Sequence, residues 1–173
     1  ALDVPLDATV SAMALDTSDG SMLVGTDGAS AWEFANASPA VKLGDGSAGT
    51  GGIVPRLYPD GKLPRIGTPD FALTGDGFLG GAPVILVLSA FETAVPAFGG
   101  TFFIGDPFIT IPFIGGGPFG VPGAGAFTIS GPIPNNPSYV GVNAYLQYGV
   151  EDPGTAHPDG IVLSDGLRLT FTN

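Results

Sequence analysis

A single histidine and no cysteine narrow the catalytic chemistry open to this sequence. A Ser-His-Asp triad would have to use His157. It sits in T-A-H-P-D-G, a turn by composition, and no G-x-S-x-G elbow occurs anywhere in the chain. A solvent-facing turn histidine is the expectation. Zinc would find one imidazole and otherwise only carboxylates. Of the 16 acids, 13 are Asp, and Asp is followed by Gly at 19, 27, 45, 60, 76, 159 and 165. In a β-protein that pair is first a turn former, because Gly supplies positive φ and Asp caps the turn. Asp16 and Asp19 before Gly20 approach a calcium loop, but Ser18 stands where a second ligand belongs. No cofactor is expected, and calcium held incidentally between Asp-bearing loops is the one cation left open. The three Glu (33, 92 and 151) have no recognisable glycosidase setting, and a hydrolase would need a pocket joining two acids around a sugar. No enzyme is expected. Sugar-stacking aromatics are the remaining chemistry: Trp32 and Tyr148 read as core and Tyr139 and Tyr145 as ordinary sheet aromatics, the latter two being the glycan contacts of the alternative, a carbohydrate-binding module.

The elements that would position these residues are strands. From Tyr139 the chain reads Y-V-G-V-N-A-Y-L-Q-Y-G-V-E-D, with Val140, Val142, Ala144, Leu146, Tyr148 and Val150 on one side of a two-residue period. Tyr139, Asn143, Tyr145 and Gln147 fall on the other, wetter side. Leu167, Leu169 and Phe171 repeat the pattern against Arg168, Thr170 and Thr172. D-P-G-T-A-H-P-D-G between the two runs predicts an antiparallel pair within a larger sheet. Pro83 to Phe91 reads as a strand buried on both faces. Seven Phe lie between 98 and 127, broken by Pro and Gly, and Pro107 and Pro112 exclude a continuous central strand there. Residues 108 to 114 are apolar on both faces, so one face should meet another sheet and the other a loop or a partner. Six or seven strands from Phe71 onward, at sandwich spacing, complete an antiparallel β-sandwich of jelly-roll or immunoglobulin-like kind.

At the front of the chain, Val4, Leu6, Ala8, Val10, Ala12 and Ala14 alternate with polar residues, and Pro5 confines that strand to an edge or irregular position. Asp19-Gly20 and Asp27-Gly28 then separate two further short strands, which predicts a β-meander over residues 1–35. The run V-x-A-x-A-L-D-x-x-D-G-x-x-x-V-G-T-D-G-x-x-x-W-x-F over residues 10–34 resembles one blade of a β-propeller. A lone blade cannot close a propeller and must bury its apolar side elsewhere. Residues 36–67 read as a Gly/Pro-rich connector, and 68–173 as the sandwich.

Composition bounds the partners. The chain of 173 residues carries 29 Gly and 17 Pro, yet 44% of it is hydrophobic, too much for a disordered chain. Sixteen acids against five bases give a net charge of −11, which disfavours nucleic acid. Four bases (Lys42, Arg56, Lys62 and Arg65) cluster in the connector and read as a solvated face. Charged residues are only 12%, so the surface must be unusually apolar or be hidden against a neighbour. The longest apolar run, residues 82 to 91, is too short to span a bilayer. A start at Ala1, with no charged leader, fits a mature exported chain or an excised fragment.

Arg65-Ile66-Gly67-Thr68-Pro69, Ile85-Leu86-Val87-Leu88-Ser89, Gly141 with Tyr145 and Gln147, Asp152, and the closing run from Leu163 to Thr170 together resemble a β-rich domain near the C-termini of large secreted bacterial proteins. That resemblance covers a little over half the chain and implies export with an accessory or structural role. The expectation is therefore a secreted structural protein at the cell surface or beyond it. It would form a homopolymer, with the segment from Val4 to Ala14 adding to a sheet edge of the next copy. A carbohydrate-binding or adhesive module using Tyr139 and Tyr145 is the alternative.

Overall fold

The computed structural model describes residues 10–15, 22–26, 31–34 and 38–173, and it divides the chain into a unit of residues 1–38 and a unit of residues 39–173. The fold is all-β, with antiparallel sheets. In the first unit, β1 (Val10–Leu15), β2 (Met22–Thr26) and β3 (Ala31–Phe34) pair antiparallel in the order β1-β2-β3. This is the meander the Asp-Gly punctuation predicts. Val4, Leu6 and Ala8 lie outside the described residues. Val10, Ala12 and Ala14 fall in β1, an outer strand already paired on one side with β2 of its own chain.

The second unit begins inside the stretch expected as a connector. Residues 36–67 contribute two strands, β4 (Ala40–Leu43) and β5 (Arg56–Pro59). Their Gly and Pro neighbours hid them, since each strand holds only four residues. Nine strands follow from Phe71, more than the spacing suggested: β6 (Phe71–Phe78), β7 (Pro83–Ser89), β8 (Glu92–Ala97), β9 (Gly100–Ile104), β10 (Phe108–Ile114), β11 (Gly125–Gly131), β12 (Asn143–Glu151), β13 (Ile161–Leu163) and β14 (Gly166–Thr170).

A central sheet runs β10-β7-β12-β14-β4, with β13 continuing the line of β14 beside the far half of β12. A second sheet, β11-β6-β5, packs on one face. Between them lie Leu57, Phe71, Leu73, Phe78, Val84, Leu86, Leu146, Tyr148, Val150, Leu167 and Leu169. Each such side chain contributes roughly 1.5–3 kcal/mol on leaving water. Phe127 meets Tyr148 edge-on at 5.0 Å and Phe113 at 4.9 Å, between ring centroids. Gly75 makes room for this cluster: a Cβ there would stand 2.3 Å from the Phe127 ring. The Tyr148 hydroxyl donates to the carbonyls of Asp76 (2.9 Å) and Arg56 (3.1 Å), which ties the two sheets together through a buried polar group. Burial keeps that phenol well above its ordinary titration range.

The β12 period is as expected on this face, but the other face is not wet. The hairpin β8–β9 lies over it as a third layer. Tyr145 packs there with Val87 and Ile104, and Gln147 is fully buried. The Gln147 amide donates to the carbonyls of Thr101 (2.9 Å) and Ser164 (2.8 Å), while its oxygen accepts the Phe103 N–H at 2.9 Å. β12 also starts four residues later than the period suggested. Asn136 caps a 3-10 turn (Pro137–Tyr139), and Gly141 at φ 83° redirects the chain, leaving Val140 and Val142 exposed.

Asp165, at the junction of β13 and β14, accepts the Leu57 N–H at 2.7 Å. Burial raises its carboxyl above the ordinary 3.8, although that N–H and the Lys42 ammonium pull the other way. The folded state therefore holds this proton more tightly than the unfolded chain does. The stability it contributes is complete below 3.8 and is lost as pH rises through the raised folded value. Asp165→Asn keeps an oxygen for Leu57, so its urea midpoint should vary less with pH above 3.8 than that of the wild type. Gln147→Leu leaves one buried N–H and two carbonyls without that partner. It should lower unfolding free energy by about 3 kcal/mol in urea titrations.

Candidate functional site

Two features of the second unit stand out: a bare sheet edge and a groove beside the hairpin. The edge is β10, F-I-T-I-P-F-I, which ends the central sheet and, among the described residues, pairs only with β7. Its register sets Ile109, Ile111 and Phe113 opposite Leu88, Leu86 and Val84, and the Gly115 N–H continues that series onto the Ala82 carbonyl at 2.9 Å. Odd-numbered residues therefore bond inward to β7. The backbone groups of Phe108, Thr110, Pro112 and Ile114 face outward. This assigns Pro112, which has no N–H, to the free side, where a proline does not break the ladder to β7. Phe108 is 43% exposed, Ile109 62%, Ile111 40% and Ile114 68%. No residue of the strand carries charge. The sequence predicts an apolar strand here with one face on another sheet and the other on a loop or a partner. Its Pro residues keep it out of the sheet centre, and the order β10-β7-β12-β14-β4 has it at the end of the sheet.

The groove exists because the hairpin covers only part of its face of the sheet. β9 is anchored by Gln147, and the Phe103 ring sits where a Cβ on Gly166 would stand 2.7 Å away. Beyond the hairpin tip the sheet is bare. A groove of ≈ 410 Å³ opens there, walled by Ile85, Val87, Phe98, Phe102, Ile161 and Leu163. Phe98 forms the tip with Gly99, at φ 49° and 73°, the two-residue turn that matches strand twist and normally takes Asn-Gly. A phenylalanine in this left-handed region costs roughly 1–2 kcal/mol, so the ring's position is held against local preference. That ring contacts the His157 imidazole edge-on at 6.0 Å.

Glu151 and Asp159 lie at the groove, and no Lys or Arg lines it. His157 Nδ1 approaches an Asp159 oxygen at 3.6 Å. His157 is thus half-buried against Phe98 rather than loose in solvent. The groove does join two acids, but its walls are hydrocarbon. A sugar needs hydrogen-bonding partners along its length, and apart from those two carboxylates the side chains of these walls offer none.

The paired tyrosines are not brought together. Tyr145 is 8% exposed beneath the hairpin and presents no face for stacking, because β9 covers the side of β12 that the period left wet. Tyr139 lies in the 3-10 turn against Phe171, with ring centroids 6.4 Å apart. Among the described residues no group of three or more His, Asp or Glu could hold a metal ion. Asp152 is spent on the backbone N–H groups of Thr50 (2.7 Å) and Gly154 (3.0 Å) and on the Thr50 hydroxyl. No helix among the described residues is long and apolar enough to cross a membrane.

The clustered bases occupy defined places. Lys42 pairs with Asp45 at 2.7 Å, which raises the ammonium's pKa and lowers the carboxyl's. Arg56 grips Asp76 through two bonds of 3.0 Å, and Lys62 pairs with Asp70. No sequence signal marked the groove, whose residues come from 83 to 163 and meet through sheet pairing and the packing of the hairpin on the sheet. Compared with family models, with curated proteins and with solved structures, the chain matches none.

Proposed function

We propose that this protein is a non-catalytic subunit of an extracellular assembly made of copies of itself, joined by strand addition at β10. The exposed, uncharged β10 edge carries the reading. Soluble monomers blunt such edges with charge, bulges or a covering loop, because an open apolar edge templates pairing with another chain. Among the described residues the only device of that kind is Pro112, and it withholds one donor. β1 is the candidate donor, since it is an outer strand of its own sheet and, among the described residues, pairs on one side only. Its pairing to β10 of a neighbour would extend one sheet across two molecules, the recognition mode in which backbone bonds give affinity and alternate side chains give fit. A low charge content and the many short strands are in keeping with a surface that is covered in use.

Thr110→Pro removes an outward N–H and leaves the inward ladder to β7 intact. In the full-length protein it should abolish large particles in light scattering and negative-stain images, with an unchanged β-sheet circular dichroism spectrum. Thr110→Val should assemble as the wild type does. Particles of wild-type size from Thr110→Pro would overturn the role of this edge.

A further inference from the structure

We infer that the groove beside the hairpin is the socket for a second contact between copies, filled by the loop Lys62-Leu63-Pro64-Arg65 of a neighbouring molecule. The inference rests on the reading of the chain as a self-assembling subunit, and it concerns a different surface from β10. The socket has apolar walls and two carboxylates, Glu151 and Asp159, with no Lys or Arg among its lining residues. Among the described residues Glu151 has no ion-pair partner, and Asp159 has only the His157 imidazole. An apolar anchor flanked by cations is the occupant that satisfies both features.

The chain supplies one such element. Leu63 is 47% exposed between Lys62 and Arg65, on a chain with only five bases. The loop is held in place: Pro64 is fully buried, its carbonyl accepts the Thr172 N–H at 3.1 Å, the Arg65 N–H bonds the Leu63 carbonyl at 2.8 Å, and the Asp60 N–H bonds Ala72 at 2.9 Å. A loop held this way presents Leu63 with little ordering left to lose on docking. Lys62 meets Asp70 in an exposed pair, a contact weak enough to exchange. Arg65 has no ion pair among the described residues.

Geometry makes the contact intermolecular. The loop adjoins Thr172 and the start of β12, through Ile66 N–H to Thr172 O (2.9 Å) and Phe171 N–H to Val142 O (3.0 Å). The socket takes Gly149, Val150 and Glu151 from the end of the same strand. At about 3.4 Å per residue, the two ends of β12 stand about 27 Å apart. A knob at one end and a socket at the other cannot meet within one molecule. Repeated between copies, they stack head to tail, a heterologous contact that propagates unless its rotation closes.

The test is a charge exchange in the full-length protein. K62E/R65E and E151K/D159K, each alone, should raise the concentration needed for assembly at least about tenfold, without altering circular dichroism. Mixed in equal amounts they should assemble again, because the acidic knob of one variant fits the basic socket of the other while both remain net acidic. Failure of the mixture to recover, or wild-type assembly by either variant alone, overturns the inference. Assembly lost in Thr110→Pro but normal in both charge variants would leave the strand-addition reading standing and remove this one. A wild type that stays monomeric at every concentration removes both. Saturable uptake of dodecylammonium by the groove, with K62E/R65E assembling normally, would identify a small cationic amphiphile as the occupant and equally overturn the proposal.

Discussion

One buried amide fastens the hairpin to the second unit's central sheet. Gln147 projects from the middle of β12 and is fully buried, and its three hydrogen bonds reach β9 at two points and the β13–β14 junction at a third. Without it, the hairpin would rest on the sheet by little more than Val87, Ile104, Tyr145 and Phe102. An isolated two-stranded hairpin is marginal in water, so the covered face, and the groove that the covering leaves open, both depend on that side chain. Tyr148, one residue on, does the equivalent work toward the opposite sheet through its hydroxyl. Neighbouring residues of one strand thus fasten opposite faces, each by a polar group that must be satisfied because it is enclosed.

The alternation in β12 was legible because a sheet's core face repeats every second residue, and Leu146, Tyr148 and Val150 obey that rule without exception. Its other face was misread for a physical reason. Tyr and Gln look wet in a linear pattern, whereas here Tyr145 is covered and Gln147 spends its polar atoms on β9, 44 and 46 residues earlier, and on Ser164, 17 residues later. Pattern reading sees the neighbours along a chain, not those that pack across it. The same limit hid β4 and β5, which take their pairing from β14 and β6 while their own four-residue runs sit among Gly and Pro. Pro107 and Pro112, by contrast, are local constraints on the backbone, and they placed β10 at an edge before any pairing was known.

The groove was illegible because it is a difference between two surfaces: the sheet face that exists and the smaller area the hairpin shields. Neither Ile85 nor Ile161 carries a signature of its own. Of the acids at the groove, Asp159 reads as turn punctuation in sequence, and it does precede a Gly at φ 64°. A residue can serve the turn with its backbone and still present its carboxylate elsewhere. The distribution of charge follows a similar economy. With so few bases in the molecule, confining four of them to residues 42–65 polarises an otherwise acidic surface.

Pro112 acts on the bare edge as a tooth missing from a comb. Were two copies to lay this strand against itself in opposite directions about Ile111, Thr110 of each would face Pro112 of the other. Both crossings would then lack a bond, at the centre of the contact where it is felt most. A different strand can bring a bulge or a turn to that position and lose nothing. The imino acid therefore sorts suitors: it penalises the symmetrical pairing that leads to indiscriminate clumping and tolerates a dissimilar one.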